Sequence, residues 1–384
     1  MSIDIFKRFQ IFLGLIILQT LSNPAFAVTF KVDEESGKFA SAILIEEETG
    51  AILFEYNARV RRSPASTQKL LLQLVVMDVV AEGKYALSDE VHTSAWASNM
   101  GGSQVFLKQG EVFPLSEMMR AIVMASANDA CVAVAEHIGG SADGFVDLMN
   151  GRATALGLSD TRSINVHGLD DTPSADGNFT SAYDLSQIAR ALLTHQQILE
   201  WSAVRIAPFR DGEFTLYNTN RLLGKFQKLD GLKTGYTARA GYCLVATAQR
   251  RGMRLISVIM GSPAERTRDR ESARLLSWGF NHFSKAPIVT VGEQFGEVTL
   301  EWSVDPKVGA VTADSATAVL TTPQRHRLNR QIELPAMQPA PVEAGQKLGE
   351  LKISLGDSLL AKIDLVADRS VGRMSLWEMF LSYF

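Results

Sequence analysis

Three short polar stretches constrain the fold of this chain more than any other feature of its sequence. In order along the chain they are Ser66-Thr67-Gln68-Lys69, Ser126-Ala127-Asn128 and Lys233-Thr234-Gly235. A serine and a lysine three positions apart occur by chance about once in a chain of this length, so the ordered set is informative and a single stretch is not. Together the stretches supply a hydroxyl nucleophile, two candidate proton carriers and a strand to hold an acyl donor. The fold must therefore bring them together.

The amino-terminal residues have the pattern of a secretory signal peptide. Lys7 and Arg8 precede an apolar run from Ile11 to Leu18, and Ala25-Phe26-Ala27 is a small-x-small cleavage site. A membrane-spanning anchor is the alternative, but the apolar run is shorter than the ~20 residues that a bilayer requires. We predict that residues 1–27 are the signal peptide and that the mature, exported protein begins near Val28.

The composition argues against several classes of protein. The formal net charge is -4 and there is no basic block, which disfavours nucleic acid as a partner. The only cysteines are Cys131 and Cys243, so no disulfide framework holds the fold. Two buried thiols are favoured over a single bridge, although export permits the bridge. The histidines show neither H-E-x-x-H nor a nearby C-x-x-C, so we predict no metal site and no cofactor.

Apolar periodicity predicts a mixed domain followed by an all-β domain. The predicted elements of the first are strands at 41–46 and 51–56, helices at 66–81, 115–125 and 128–137, strands at 242–248 and 254–260, and a helix at 265–283. Ser126 then lies in a turn between two helices, and the Lys233 stretch leads an antiparallel set of strands. The fold class is α+β, with an antiparallel sheet flanked by helices.

The composition changes at Ser284-Lys285-Ala286-Pro287, and the pattern beyond it is β. Residues 298–304 alternate strictly between apolar and polar, and 351–355 pairs with 359–367 across Gly356-Asp357. We predict domains at 28–285 and 286–370. The second domain offers no nucleophile with a base beside it, so a stalk or spacer is its favoured role.

The segment 371–384 predicts an amphipathic tail that associates with a membrane surface. Met374 to Phe384 is apolar except for Ser375, Glu378 and Ser382, whose spacing forms one narrow polar stripe on a helix. Such a helix is too short to span a bilayer but long enough to lie in its interface. A terminal helix docked on its own β domain is the alternative.

The first stretch predicts an activated serine. If Ser66 opens a helix, its Oγ lies near unpaired backbone N–H groups and the positive end of the helix dipole, and Lys69 falls on the same face. For Lys69 to accept the serine proton at pH 7 it must be neutral, which costs roughly 4.6 kcal/mol from an unperturbed pKa. We predict that burial and the neighbouring charge of Lys233 lower the pKa of Lys69.

The other two stretches predict the rest of an acyl-transfer site. Ser126 and Asn128 bring a hydroxyl that relays a proton and an amide that holds a peptide group. At Gly235 the missing side chain lets an extended substrate backbone approach and add as a strand. The backbone N–H groups of Ser66 and Tyr236 are the candidate oxyanion hole. The cations suit a substrate that ends in a carboxylate.

These motifs resemble the serine acyl-enzyme superfamily of penicillin-binding proteins and β-lactamases, and most closely the low-molecular-mass penicillin-binding D-alanyl-D-alanine carboxypeptidases. The resemblance covers nearly all of the mature chain. The residues that carry it are Ser63-Pro64-Ala65-Ser66-Thr67-Gln68-Lys69, Leu107-Lys108-Gln109-Gly110-Glu111, Ser126-Ala127-Asn128-Asp129-Ala130, Val166-His167-Gly168-Leu169, Asp230-Gly231-Leu232-Lys233-Thr234-Gly235-Tyr236-Thr237 and Ala240-Gly241-Tyr242.

The resemblance implies a β-lactamase/transpeptidase-like domain with a trailing β domain. It implies a peripherally membrane-attached enzyme in the periplasm or on the outer face of the cytoplasmic membrane. The implied activity removes the terminal D-alanine from peptidoglycan pentapeptide side chains in cell-wall synthesis, and β-lactam antibiotics acylate the same serine. Gln68, where the family usually has threonine, and Ala127, where it often has glycine, are departures that bear on substrate preference.

The resemblance also implies residue roles. Ser66 is the nucleophile, Lys69 the general base, and Ser126 with Lys233 the proton relay. The substrate-binding residues are Asn128, Thr234, Gly235, Tyr236 and one arginine of the helix at 265–283. Of Arg266, Arg268 and Arg270, we favour Arg268 from its distance past the preceding strand. His167 matches a histidine of the family near the site, and packing of its loop is the alternative role.

Two other functions compete. A secreted β-lactamase of class A needs a glutamate in an E-x-x-L-N loop, and no glutamate occurs between Glu136 and Glu200. A non-catalytic cell-wall scaffold would retain the fold without the chemistry, which the complete set of motif residues disfavours.

Overall fold

The computed structural model describes Phe30, residues 38–170 and 177–375, and Trp377. The described residues fall into two units, Val28–Phe283 and one that contains Ser284–Phe384. The predicted signal peptide, residues 1–27, lies outside the described residues, as do residues 376 and 378–384 of the predicted tail. Among the helices of the described part, none has the length and apolar character needed to cross a membrane.

An antiparallel sheet organises the first unit. Its strands are β1 (Ser41–Glu46), β2 (Ile52–Tyr56), β3 (Glu90–His92), β4 (Val112–Pro114), β5 (Ile206–Phe209), β6 (Phe214–Tyr217), β7 (Leu229–Thr237), β8 (Gly241–Arg250) and β9 (Met253–Ser262). Within the described chain a five-stranded sheet has the order β2-β1-β9-β8-β7, and β3 with β4 and β5 with β6 form separate pairs. Strand β7, which carries the third motif, is thus an edge strand.

Helices lie against this sheet and against one another. They are α1 (Lys69–Ala81), α2 (Ala95–Ser98), α3 (Leu115–Ala125), α4 (Asn128–Gly139), α5 (Ala142–Ala155), α6 (Ala182–Leu192), α7 (Gln196–Ser202) and α8 (Glu265–His282). Contacts of α8 with β8 and β9, and of α6 with β1 and β9, cover the sheet. Because β8 and β9 are buried through most of their length, their sequences show an apolar bias in place of strict alternation.

The helix that follows Ser66 is almost wholly buried. Its residues Lys69 to Met77 are all buried, with leucines at positions 70, 71, 72 and 74. A helix that is apolar around its whole circumference belongs in a core rather than at a surface. Lys69 is therefore the one cation of a helix that is apolar apart from Gln73 and Asp78, and its buried environment follows from the sequence of that helix.

The second unit is β, apart from one short helix. Its elements are β10 (Ser284–Val289), β11 (Gln294–Glu301), β12 (Lys307–Thr312), β13 (Ala316–Leu320), α9 (Thr322–Arg325), β14 (Leu328–Glu333), β15 (Met337–Pro339), β16 (Lys347–Leu355) and β17 (Ser358–Ala367). The predicted hairpin across Gly356 is confirmed. The strand predicted to reach Val304 ends at Glu301, because Trp302 takes a φ of 52° that extended chain does not allow.

Candidate active site

A short turn presents Ser66 ahead of the buried helix. Residues Ala65–Gln68 form a 3-10 turn and α1 begins at Lys69, so the predicted start of the α-helix at Ser66 is wrong by three residues. Ala65, the first residue of this turn, is fully buried and has a φ of 47°. A left-handed conformation in a residue other than glycine is disfavoured, and such strain concentrates at functional sites.

Lys69 joins three segments of the chain. Its Nζ donates hydrogen bonds to Ser66 Oγ at 2.8 Å, to Ser126 Oγ at 3.3 Å and to the carbonyl of His167 at 2.9 Å. The side chain is fully buried. The first two predicted stretches therefore meet at this ammonium group, together with a loop whose contact the motif spacing does not reveal.

Burial lowers the pKa of Lys69 to about 8, and the charge of Asp129 opposes the shift. With a pKa near 8, about one tenth of Lys69 is neutral at pH 7, and deprotonation costs about 1.4 kcal/mol. The pKa of Lys233 is also lowered, first by burial and then by the charge of Lys69. The sequence predicts that the charge of Lys233 contributes to the lowered pKa of Lys69. Burial is instead the cause, and the charge of Lys69 contributes to the lowered pKa of Lys233.

The turn between α3 and α4 holds the second stretch, as predicted. Ser126 ends α3 with a φ of 63°, which directs the chain back toward Lys69. The side-chain nitrogen of Asn128 donates to the carbonyl of Gly101 at 2.7 Å. The side-chain oxygen of Asn128 is buried and accepts no hydrogen bond within the described chain. Buried acceptors are normally satisfied, so this oxygen is suited to accept an N–H from a bound peptide.

Asp129, the residue after Asn128, holds a neighbouring loop. Its buried carboxylate accepts hydrogen bonds from the backbone N–H groups of Val105 and Leu107, each at 3.1 Å for the nearer oxygen. The sequence predicts only that Asn128 or Asp129 caps the helix that follows, and no binding or catalytic role for Asp129. Its position directly after Asn128 is the sequence signal that points to it.

Lys233 lies on β7 and is buried. Its Nζ donates to the carbonyl of Thr234 at 3.1 Å, and the described residues show no hydrogen bond between Lys233 and Ser126. The predicted relay between these two side chains therefore stays a prediction. Thr234 Oγ1 donates to Thr219 Oγ1 at 2.7 Å, so a hydroxyl from outside the three motifs lies next to the third one.

Gly235 allows the nucleophile turn to approach β7. A Cβ atom at this position would lie 3.0 Å from the backbone nitrogens of both Ser66 and Thr67. The prediction that the missing side chain admits substrate backbone is therefore revised, because the space is filled by the turn that carries Ser66. The contact sets the Ser66 amide beside the residue that precedes Tyr236, which is the arrangement that the predicted oxyanion hole requires.

The side chain of Tyr236 is exposed, and its ring stacks on Tyr242 with the ring centroids 4.2 Å apart. The two tyrosines face each other across β7 and β8. The sequence predicts a role for the backbone N–H of Tyr236 in the oxyanion hole. The structure adds that its ring is held at the edge of β7 by stacking on Tyr242.

Arg268 is the buried member of the three candidate arginines. It is 2% exposed, whereas Arg266 and Arg270 are exposed. Its guanidinium pairs with Asp269 at 2.7 Å, and its charge contributes to the lowered pKa of Lys233. The guanidinium of Arg268 is thus close enough to the third motif to affect Lys233. This is consistent with the prediction that Arg268, of the three arginines, binds substrate.

The loop that contains His167 packs directly on the nucleophile turn. A Cβ atom at Gly168, whose φ is 83°, would lie 2.1 Å from the carbonyl oxygen of Ala65. Burial lowers the pKa of His167 to about 4, with a smaller contribution from the charge of Lys69. His167 is therefore neutral at pH 7, and its Nδ1 accepts a hydrogen bond from the backbone of Leu169 at 3.2 Å. The main-chain carbonyl of His167 accepts the hydrogen bond from Lys69 Nζ.

Both cysteines are buried and free. Burial raises the pKa of the Cys131 thiol to about 12 and that of Cys243 to about 11, so both are thiols at pH 7. Among the described residues, no cluster of His, Cys, Asp or Glu side chains is arranged to hold a metal ion.

Comparison with known proteins identifies the family. The family described as D-alanyl-D-alanine carboxypeptidase matches residues 29–264, and the family described as penicillin-binding protein 5, C-terminal domain, matches residues 283–373. The chain belongs to the D-alanyl-D-alanine carboxypeptidase family. Its members are serine-type hydrolases, so the family and enzyme class predicted from the motifs are confirmed.

Relatives resemble this chain over most of its length. D-alanyl-D-alanine carboxypeptidase DacF of Bacillus subtilis is 34% identical, over 92% of this chain and 91% of its own. The crystal structure of penicillin-binding protein 5 from Haemophilus influenzae superposes with a TM-score of 0.73 at 29% identity, covering 88% of this chain and 98% of that one. Penicillin-binding protein D2 from Listeria monocytogenes in its ampicillin-bound form matches with a TM-score of 0.58 at 29% identity, covering 63% and 97%. The predicted fold, a transpeptidase-like domain followed by an all-β domain, is confirmed.

Proposed function

We propose that the chain removes the terminal D-alanine from peptidoglycan pentapeptide side chains through an acyl-enzyme on Ser66. Membership of the carboxypeptidase family gives the reaction class. The observation that carries the residue assignment is the buried Lys69 Nζ, 2.8 Å from Ser66 Oγ and with a pKa near 8. An amine of this pKa next to a serine hydroxyl is a competent general base at neutral pH.

In the acylation step, Ser66 Oγ attacks the carbonyl carbon of the penultimate D-alanine while neutral Lys69 takes the hydroxyl proton. The oxyanion that forms accepts hydrogen bonds from the backbone N–H groups of Ser66 and Tyr236. Asn128 Oδ1, which has no partner among the described residues, accepts a peptide N–H of the substrate. The peptide C–N bond then breaks as the leaving amine gains a proton.

That proton travels from Lys69 through Ser126 Oγ, 3.3 Å from Lys69 Nζ, to the nitrogen of the departing D-alanine. Lys233 completes the relay by stabilising the Ser126 oxygen, and Thr234 with Arg268 holds the terminal carboxylate. Water hydrolyses the ester, which releases the tetrapeptide and restores Ser66. Burial and then the charge of Lys69 lower the pKa of Lys233.

β-Lactam antibiotics acylate the same serine in this proposal. The Listeria relative has been solved in an ampicillin-bound form, and its fold matches 63% of this chain. A slow deacylation distinguishes this function from a β-lactamase: a penicilloyl adduct on Ser66 that persists for minutes supports the carboxypeptidase, and turnover within seconds supports the lactamase.

The cellular setting is also a proposal. The sequence pattern of residues 1–27 favours export to the periplasm or the outer face of the cytoplasmic membrane. The apolar pattern of residues 374–384 favours peripheral attachment to that membrane. We retain 28–285 as the catalytic domain, 286–370 as the β domain that spaces it, and 371–384 as the tail.

The direct test is release of D-alanine from diacetyl-L-Lys-D-Ala-D-Ala by the mature chain. Wild type is expected to release it, and Ser66→Ala to lose all release above background. Ser163→Ala is the matched control, since Ser163 belongs to the chain's other S-x-N tripeptide and its buried Oγ has no hydrogen-bond partner in the described structure. A catalytically silent wild type with normal folding would support the scaffold function instead.

A further inference from the structure

The ring of Phe106 is exposed beside the active site. Its side chain is 64% exposed, and its backbone has a φ of 57°, in the left-handed region. A bulky residue rarely adopts this conformation, and a large exposed aromatic gains nothing from burial in return. Strained backbone of this kind persists where the surrounding structure imposes it, and it concentrates at functional sites.

The surrounding structure does impose it. The carboxylate of Asp129 accepts hydrogen bonds from the backbone N–H groups on both sides of Phe106, those of Val105 and Leu107. On the other side, the guanidinium of Arg210 donates to the carbonyl of Phe106 at 3.2 Å and is itself paired with Glu111 at 2.8 Å. Two charged side chains therefore hold the backbone of one residue so that its ring points outward.

Phe214 supports the exposed ring from behind. The two rings meet at 68° with their centroids 6.2 Å apart, and Phe214 packs in turn on Phe209. An edge-on contact of this kind is favourable and fixes orientation while leaving most of the Phe106 ring exposed. The ring is thus pre-organised for a flat apolar partner.

The loop that carries Phe106 is bound to the second motif. Asn128 makes two hydrogen bonds to this loop. Its backbone N–H donates to the carbonyl of Ser103 at 2.7 Å, and its side-chain nitrogen donates to the carbonyl of Gly101. The neighbours of Phe106 on both sides, Val105 and Leu107, bond to Asp129, the residue after Asn128. The backbone of Phe106 therefore lies next to the second motif, whose Asn128 is proposed to hold the substrate peptide.

From this placement we infer that Phe106 binds a sugar ring of the glycan strand to which the substrate peptide is attached. The inference rests on the proposed function. In a pentapeptide side chain, four residues separate the sugar from the scissile bond, an extended length of about 13 Å. The C–H face of a pyranose ring is apolar and flat, and packing it on an aromatic ring removes apolar area from water.

A comparison of two substrates tests this binding site. The measurement is the ratio of kcat/KM for a disaccharide pentapeptide to kcat/KM for diacetyl-L-Lys-D-Ala-D-Ala, which lacks sugar. Phe106→Ala is expected to lower this ratio about tenfold, mainly through KM for the disaccharide substrate. Phe106→Tyr, which keeps a ring, is expected to have the wild-type ratio. Leu148→Ala, at an exposed apolar residue of α5, is the matched control and leaves the ratio unchanged.

A ratio for Phe106→Ala within twofold of wild type overturns the inference, including the case in which both substrates lose activity equally. If Phe106→Ala fails to fold, Phe106→Leu replaces it, because leucine keeps the apolar bulk and removes the ring. A ratio for Phe106→Leu within twofold of wild type then overturns the inference. Hydrolysis of the soluble tripeptide by wild type tests the proposed function separately, so failure of one claim is distinguishable from failure of the other.

Discussion

A Cβ atom built on Gly235 would lie 3.0 Å from the backbone nitrogen of Ser66. It would also lie 3.0 Å from the nitrogen of Thr67 and 3.1 Å from the carbonyl oxygen of Pro64. These neighbours are backbone atoms, so they cannot rotate away as a flexible side chain would. Gly235 therefore sets the distance between the nucleophile turn and the edge strand that carries Lys233.

Replacing Gly235 by alanine is expected to displace the turn by a few tenths of an ångström. Because the candidate oxyanion hole is formed by N–H groups on both sides of this contact, we expect acylation by penicillin to slow at least tenfold, equivalent to about 1.4 kcal/mol in the barrier. Overpacking is expected to cost about 1–3 kcal/mol of stability. Stopped-flow acylation and thermal unfolding measure the two effects.

Gly151→Ala is the control for that substitution, since a Cβ atom there meets no heavy atom within 4 Å. Helical alanine is expected to leave acylation unchanged and to raise stability slightly. Wild-type acylation rates in Gly235→Ala would show that the contact does not position Ser66.

Lys69 is expected to reduce stability while it supplies activity. Burial lowers its pKa from 10.5 to about 8, so the folded state binds this proton less tightly than the unfolded state does. The wild type therefore loses stability as pH falls from 10.5 to 8, and the cost is fully present below pH 8. Lys69→Met is expected to abolish acylation and to raise the free energy of unfolding at pH 7 by up to about 3 kcal/mol.

Urea unfolding of wild type and Lys69→Met at pH 7 and pH 10.5 measures this difference. The gain is expected to shrink at the higher pH, where Lys69 is neutral in the folded state and half neutral in the unfolded state. A variant less stable than wild type at pH 7 would show that the hydrogen bonds of Lys69 outweigh its desolvation.

The lowered pKa of His167 predicts that the free energy of unfolding decreases in acid. Its folded pKa is about 4 against an unperturbed 6.5, because burial disfavours the charged ring. The unfolded state therefore binds the proton first, and stability is lost as pH falls from 6.5 to 4, by up to about 3 kcal/mol. His167→Gln, which keeps an acceptor for the Leu169 N–H, is expected to flatten this part of the stability curve.

The exposed His92→Gln variant is the control for the acid measurement. If wild type and His167→Gln lose the same free energy of unfolding between pH 6.5 and pH 4, groups other than His167 cause the loss.

Much of the site is predictable from the sequence because the motifs lie on local structures with clear signals. The helices on either side of Ser126 and the strands after Lys233 follow from apolar periodicity, and the structure confirms them. The buried environment of Lys69 follows from the apolar helix that it begins. The family resemblance adds which of these residues act together.

Contacts between distant segments account for what the sequence does not predict. The carbonyl of His167 contacts Lys69 from 98 positions away, and no periodicity encodes that distance. The sequence predicts that Gly235 admits substrate backbone, whereas in the structure it packs against the Ser66 turn. The sequence does not predict this contact because it depends on tertiary packing. The early end of β11 at Trp302 depends on a single backbone rotation, which alternation of apolar residues does not detect.

The central claim is that a neutral Lys69 removes the proton of Ser66, and the pH dependence of acylation by a chromogenic penicillin tests it most directly. Single-turnover rates are expected to rise about tenfold per pH unit below pH 7 and to level off above the pKa of Lys69, about 8. A rate that is independent of pH from 6 to 9, or one that still rises at pH 10, would contradict it.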